Sequence, residues 1–442
     1  LLILGVGIYL SIRTGYVQII LFPQAVKTFL GGFRKKSGSK SGVSAYRAMC
    51  TALAATVGTG NLAGVAGAIA IGGPGAVFWM WICGILGMVT KFAEATLAVR
   101  YRKRGSDGQY MAGPMYMIRQ GLGEKWKWLA WIYCFFGVVA AFGVGNATQV
   151  NTVIQSINGI LVNRGKEPGI FTNLWMGLIL AAVFGALLKG GASRIGAAAE
   201  VLVPFASLLY IGLGALVLIL QRSAIIPAFS LIIEGAFSPK AVTGGVIGSC
   251  FTVLRVGASR GVFTNEAGMG TASIAHGSAD VEHPVQQGLM GMVEVFLDTI
   301  VICTVTALVI LCSGMIIPYG TDTGIALTCD AFSHILGDWV QIPIAGALCL
   351  FATATVLGWG LYGGRCAQYL FGENSWNAFV NIQIVTVVIG ALLQTGTVWL
   401  LSDIVNGLMA IPNLIALLLL SPELIRLVKE YKRRGHQTRA KD

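Results

Sequence analysis

The stretch Ala52-Leu53-Ala54-Ala55-Thr56-Val57-Gly58-Thr59-Gly60-Asn61-Leu62-Ala63-Gly64 sets a Gly-Thr-Gly triplet in the middle of an apolar run, about 43–71. A run of that length suits a membrane helix, which needs ~20 residues. Lipid offers an unwound backbone no replacement hydrogen bonds, so a break at that depth persists only when buried in protein or lining a cavity. An interrupted helix presents free N–H groups from one half and free carbonyls from the other. Those ends suit a carboxylate and a small cation respectively. The N–H groups of Thr59 and Gly60, opening the second half, are the expected carboxylate donors, and Gly60 permits close backbone approach. Asn61 would either hold a cation or cap the half-helix. The glycines fit a plain packing face equally well, because Gly60 and Gly64 form a GxxxG pair.

The elements that must position these residues follow from composition. Hydrophobic residues make up 55% of the 442 and charged residues 11%, whereas a soluble chain carries about 25% charged residues. The chain therefore reads as a polytopic membrane protein. Its 59 glycines fit close helix packing in lipid. The nine cysteines stand singly, with no CxxC and no Cys/His cluster, which argues against a metal site or a disulfide framework.

Spans are expected at about 43–71, 76–99, 128–157, 174–188, 198–220, 241–275, 289–315, 342–370, 378–400 and 404–420. A clipped helix in 1–12 brings the count to about eleven. The sixth of the ten is again interrupted, at Gly257-Ala258-Ser259-Arg260-Gly261. Each broken helix opens a set of five, and an odd number of spans inverts the second set. The expected fold is all-α, a 5+5 inverted repeat with broken first and sixth core helices, which points to a central binding site. The divisions are an N-terminal helix with a basic amphipathic segment (1–42), a first repeat (43–221), an external connector (222–240), a second repeat (241–421) and a basic tail (422–442). Segments 228–237 and 324–336 read as short amphipathic helices on one face. With that face outside, 24 of the 31 lysines and arginines fall on the other, including Arg34, Lys35, Lys36 and the tail. Basic loops and C-terminus are then cytoplasmic in a cell-membrane protein. The net charge of +12 is an orientation signal and a headgroup contact, and nucleic acid is not an expected partner.

Gly72-Gly73-Pro74-Gly75-Ala76-Val77-Phe78-Trp79-Met80-Trp81 resembles the signature of the alanine or glycine:cation symporter family, the sodium/alanine symporters. Thr264-Asn265-Glu266-Ala267-Gly268 and Leu357-Gly358-Trp359 are similar to further blocks of that family, and the likeness covers essentially the whole chain. Val57-Gly58-Thr59-Gly60-Asn61 more distantly resembles the first broken helix of the neurotransmitter sodium symporters. The resemblance implies the leucine-transporter fold and sodium-coupled uptake of small neutral L-amino acids (alanine, glycine), with D-alanine left open and no cofactor beyond the coupling sodium. It also implies a sodium ion held by the carbonyls of Ala54 and Val57 and the Thr355 hydroxyl. Members of the family tend to carry Ser-Thr where this chain has Ala354-Thr355, so Thr353, one place earlier, is a second candidate. Oxygen ligands of this kind suit a hard cation.

A zwitterion also needs acceptors for its ammonium, expected from carbonyls freed around Gly257–Gly261, and walls sized to its side chain. Phe263 and Trp359, beside the breaks and motifs, are the candidate walls, and Thr264 is counted with the substrate site. Gln149, in the patch Asn146-Ala147-Thr148-Gln149, either reaches the substrate or bonds between helices. Charges inside spans are costly and default to functional candidates. Glu266 is expected to pair with Arg255 or Arg260, and Lys91 with Glu94 one turn away. Glu294 and Asp298 share a face four residues apart, and Asp298 stays open between hydrogen bonding and a proton or cation relay. An enzyme finds little support. Gly58-Thr59-Gly60 with Gly64 misses the dinucleotide spacing by one residue, and neither a P-loop lysine nor HExxH occurs. Proton-coupled symport and a passive channel remain the rival readings.

Overall fold

In the computed structural model, which describes residues 1–32, 43–105, 108–321 and 324–439, the first apolar run is helical on both sides of the Gly-Thr-Gly triplet. Arg34, Lys35 and Lys36 lie outside the described residues. Helix α1 (Leu2–Thr14) comes first, and α2 (Ala45–Thr56) starts at Ser44, whose hydroxyl accepts from the Arg47 N–H at 3.1 Å. Val57 is extended (φ −74°, ψ 102°), Gly60–Gly64 forms a π-turn, and α3 (Val65–Gly72) completes the span. The two halves meet at 52°.

The first set continues with α4 (Gly75–Arg100) and α5 (Lys127–Phe142), which passes through a π-turn at Gly143–Ala147 into α6 (Thr148–Asn163). It closes with α7 (Ile170–Leu188) and α8 (Gly191–Leu220). The connector carries α9 (Ile225–Phe237). The second set holds α10 (Cys250–Asn265), α11 (Thr271–His276), and α12 (Pro284–Val295) running through π-helical Phe296–Ile302 into α13 (Cys303–Cys312). After the short α14 (Ile325–Leu336) come α15 (Gln341–Phe371), α16 (Ser375–Leu392) and α17 (Thr395–Leu419). The tail forms α18 (Ser421–Arg439). A two-residue antiparallel ribbon, β1 (Lys103–Arg104) with β2 (Tyr110–Met111), is the one sheet among the described residues.

Both short amphipathic helices, α9 and α14, form where the sequence predicts them. Among the described residues eight helices are long and apolar enough to cross a membrane, nine with the bent pair. The second broken helix and α1 fall short of that length and composition, so the expected count of about eleven is not reached by span length among the described residues. Equivalent helices of the two sets pack on one another, α4 on α12 and α7 on α16. Likewise α5 packs on α17 while α15 packs on α8. Phe171, Trp175 and Ile179 on α7, and Phe205 and Leu208 on α8, point outward and exposed, as a lipid-facing surface requires.

The second interruption is not where the glycines at 257 and 261 predict it. Helix α10 runs unbroken through both. A Cβ on Gly257 would meet Trp79 Cβ at 2.7 Å and one on Gly261 would meet Cys83 Cβ at 2.9 Å, so these glycines let α10 lie against α4. The helix ends instead where three left-handed residues fall within five positions, Glu266 (φ 53°), Gly268 (φ 95°) and Gly270 (φ 79°). Left-handed backbone at a non-glycine residue costs about 1–2 kcal/mol. Here two hydrogen bonds to the Glu266 carboxylate offset it, from Trp359 Nε1 at 2.7 Å and Thr271 Oγ1 at 2.6 Å.

Candidate functional site

At the first break two backbone N–H groups leave the helix for side chains. Gly58 N–H donates to Asn61 Oδ1 at 2.9 Å and Thr59 N–H to Gln149 Oε1 at 3.2 Å. In a continuous helix they would return to the carbonyls of Ala54 and Ala55. The two carboxamides thus hold the break open and strip those carbonyls of their helical donors. Two carbonyls on the far side of the break also accept from neighbouring helices, Asn61 O from Thr306 Oγ1 at 2.8 Å and Leu62 O from Thr328 Oγ1 at 3.0 Å. This is the partnering that unwound backbone inside a membrane needs.

Thr355 reaches this break from α15. Its hydroxyl donates to Phe351 O at 3.0 Å and stands 3.4 Å from Val57 O. Val57 O and Thr355 Oγ1 therefore stand together as buried oxygens at the break, one turn beyond Ala54. Thr353 turns away, donating to Cys349 O at 2.6 Å on its own helix. Asn61 spans the break and its surroundings, because its Nδ2 donates to Asp298 Oδ1 at 2.7 Å. Asp298 Oδ2 accepts from Thr299 Oγ1 at 2.8 Å, which in turn accepts from Asn265 Nδ2 at 3.2 Å. The π-helical turn around Asp298 thus links the two interruptions by hydrogen bonds.

The interruptions meet at Gly60. A Cβ there would lie 3.0 Å from the Phe263 ring and 3.2 Å from the Thr264 methyl. Beyond Thr264 the second break repeats the chemistry of the first. Ala267 N–H donates to Asn265 Oδ1 at 3.0 Å and Gly268 N–H to Glu94 Oε1 at 2.9 Å. Phe263 O and Thr264 O consequently lose their helical donors. The Thr59 hydroxyl is fully buried with no hydrogen-bond partner among the described residues. Phe263 stacks on Trp399, ring centroids 4.8 Å apart. Arg260 lies over Trp399 and pairs with Asp403 at 3.7 Å. Gly64 has open space where a Cβ would stand, so Gly60 and Gly64 do not act as one close-packing pair.

Of the residues singled out from sequence, Thr59, Gly60, Gln149, Phe263 and Thr264 come together, with Ala54, Val57, Asn61 and Thr355 beside them. Trp359 is fully buried and spends its indole N–H on Glu266. The expected ion pairs are redistributed. Glu266 meets Trp359 and Thr271, not Arg255 or Arg260. Lys91 Nζ stands 3.3 Å from Glu294 Oε1, whereas Glu94 Oε1 accepts from Gly268 N–H, Gly270 N–H at 3.0 Å and Asn413 Nδ2 at 2.7 Å. Spacing along α4 put Lys91 and Glu94 on one face, but helix docking gave each a partner on another element. Sequence reasoning missed this role of Glu94. Gly268 and Gly270, two apart beside Glu266, were a readable sign of the break, and Asn413 carried none. A cavity of about 480 Å³ between α2, α8, α11 and α15 reaches Thr51, one turn before Ala54, and is bordered by Arg47, Arg104 and Arg365.

A model of the family described as "Sodium:alanine symporter family" matches residues 1–442. The chain is 42% identical to the sodium/alanine symporter AgcS of Methanococcus maripaludis, across 97% of this chain and 93% of that protein. It is 36% identical to the probable sodium/glutamine symporter GlnT of Bacillus subtilis, across 98% and 87%. Among solved structures, MhsT in complex with L-phenylalanine is similar with a TM-score of 0.61 at 14% identity, covering 88% of this chain and 99% of that one. At that identity the likeness speaks to the fold alone, and the fold in common is the leucine-transporter arrangement.

Proposed function

The chain belongs to the sodium:alanine symporter family and so performs sodium-coupled amino-acid symport, and from that premise we propose that its cargo is alanine or glycine, carried by alternating access. The observation that carries the reading is the meeting of the two interruptions at Gly60, which packs against the side chains of Phe263 and Thr264, two residues whose own carbonyls lack helical donors. The substrate carboxylate takes the N–H groups of Thr59 and Gly60, displacing Gln149 Oε1 from the first of them. The ammonium takes Phe263 O and Thr264 O, which replace the carbonyls of Gly257–Gly261 as acceptors because α10 is continuous there. Phe263 bounds the side chain. Sodium sits among Ala54 O, Val57 O and Thr355 Oγ1, with Thr353 the less supported ligand and Asn61 a cation ligand only if its Oδ1 is shared with Gly58 N–H. The reading asks for no other cofactor, places the protein in the plasma membrane with basic loops and C-terminus cytoplasmic, and leaves D-alanine as the isomer to be tried beside L-alanine.

Radiolabelled alanine uptake into proteoliposomes, with sodium, potassium and pH gradients imposed in turn, tests it. Accumulation should follow the sodium gradient. Accumulation driven by pH alone would establish the proton-coupled alternative, and equilibration without accumulation a passive channel.

Thr355→Ala is expected to raise the sodium concentration for half-maximal uptake roughly 5- to 30-fold, the worth of one lost oxygen contact. Thr355→Ser should restore it, and Thr353→Ala should leave it unchanged. The opposite pattern would move the ligand to Thr353. Size selection rests on Phe263. A methylene is worth only ~1–3 kcal/mol in a hydrophobic pocket, so rejection of larger side chains has to come from excluded volume. Phe263→Leu should raise leucine competition relative to alanine by about tenfold. An unchanged ratio, measured against labelled alanine at matched expression, removes Phe263 from the wall. Trp359→Phe should behave differently, weakening the fold by leaving Glu266 Oε1 short of a donor rather than widening the pocket.

A further inference from the structure

A second polar cavity lies away from the transport site. It occupies about 330 Å³ between the β1–β2 ribbon, the foot of α5 and the end of α15. Lys103, Arg104, Arg119 and Lys127 line it, with Tyr369 and Trp131, and Glu373 is the one carboxylate on its walls. Arg119 pairs with Glu124 at 2.6 Å and Arg104 lies 5.5 Å from the Tyr110 ring centre. All four cations are exposed. Four cations around a cleft of this size make a receptor for a phosphate-bearing group.

The apolar surroundings identify the source of that group. Trp131 both lines the cleft and faces outward. It belongs to a stripe on α5, with Trp128, Ile132 and Phe135, spaced as one helix face and 39–57% exposed. Phe371, at the end of α15, is 72% exposed beside the same cleft. A soluble anion has no use for that surface. A lipid does, because its acyl chains can run along the stripe while its phosphate enters the cleft. Basic pockets between membrane helices, with aromatic residues at headgroup level, have the chemistry for this.

We propose that this cleft is a binding site for the headgroup of an anionic phospholipid. Arg104 also borders the cavity that reaches Thr51, so a bound headgroup holds a side chain shared with that cavity.

The test is native mass spectrometry of the full chain in detergent, titrated with phosphatidylglycerol, phosphatidylethanolamine and soluble glycerol phosphate. The wild type should retain one phosphatidylglycerol more tightly than phosphatidylethanolamine, and glycerol phosphate should leave it unoccupied. Arg104→Gln/Lys127→Gln should lose phosphatidylglycerol affinity on the order of 30-fold, the worth of two basic residues at a membrane surface. Arg104→Lys should keep it. If the double variant does not elute as a folded species, Lys127→Glu on the exposed foot of α5 reads the same site and should lower affinity alone. Equal affinity for the two lipids, unchanged affinity in the charge variants, or glycerol phosphate binding as tightly as the lipid would each overturn the proposal.

Discussion

Leucine at position 60 is expected to abolish saturable alanine binding while the protein still inserts and folds. The space in front of Gly60 is already filled to contact, with a Cβ there 3.0 Å from Phe263 and 3.2 Å from Thr264. A leucine adds branched carbon beyond that point, so it has to displace Phe263 and Thr264 into the substrate site they border. Its accommodation pushes Phe263 against Trp399 at a cost of about 1–3 kcal/mol, which a large helical protein survives. The ligand has no comparable escape, since its carboxylate needs the main chain of Thr59 and Gly60 at hydrogen-bond distance. Gly64→Leu is the matched comparison, because a Cβ there meets nothing within 4 Å, and it should bind nearly as the wild type does. Labelled alanine binding to purified, monodisperse protein in sodium measures both. Wild-type affinity in Gly60→Leu would remove the substrate from this break.

Lys91→Met is expected to destabilise the protein by about 3–5 kcal/mol, the cost of leaving a buried partner charge uncompensated. Lys91 and Glu294 have side chains 0% and 1% exposed, and their charged atoms stand 3.3 Å apart. The other Glu294 oxygen contacts His276 Nε2 at 2.6 Å. Gln287 Nε2 donates to Nδ1 of the same ring at 2.6 Å, so the ring proton sits on Nε2 and points at the carboxylate. Methionine fills the lysine volume but offers the carboxylate nothing. Lys91→Met/Glu294→Gln removes both charges and should recover most of the loss, since a buried ion pair is worth little against a neutral pair of the same shape. Thermal unfolding in one detergent, with both variants beside the wild type, separates these cases. Equal midpoints for all three would mean that the pair is not dry.

The first break was legible because Gly58 and Gly60 flank Thr59 in the centre of a span, two apart, a spacing that does not form one helix face. The second was misread by several residues because glycine serves two purposes that composition does not separate. Gly257 and Gly261, four apart, make a helix face that α4 can approach, whereas Gly268 and Gly270, two apart, take left-handed backbone. Most of the side chains gathered at Gly60 were singled out because they neighbour the breaks or the family blocks, and Gln149 because it stands in a polar patch within a span. The ion pairs were not, because in a helical bundle a charge selects its partner by docking. Nothing in the order of residues says that Asn413 and the N–H groups of Gly268 and Gly270 converge on Glu94. Trp359 was singled out as a wall of the pocket, whereas its indole N–H is spent on Glu266, a partner set by a backbone turn that only the folded chain displays.

The capping of the second break by Glu94 makes the two halves of the repeat chemically unequal. Each half has an interrupted helix, and by pseudo-symmetry each could present a positive helix end to an anion. One of those ends is already taken: a carboxylate belonging to the protein sits on Gly268 and Gly270, with Asn413 holding it there. Under the proposed function, the negative end of an incoming amino acid is then anchored at the first interruption. An internal anion thus distinguishes the two halves of a nearly two-fold scaffold: the N–H groups of the first interruption end on neutral carboxamides, those of the second on a carboxylate.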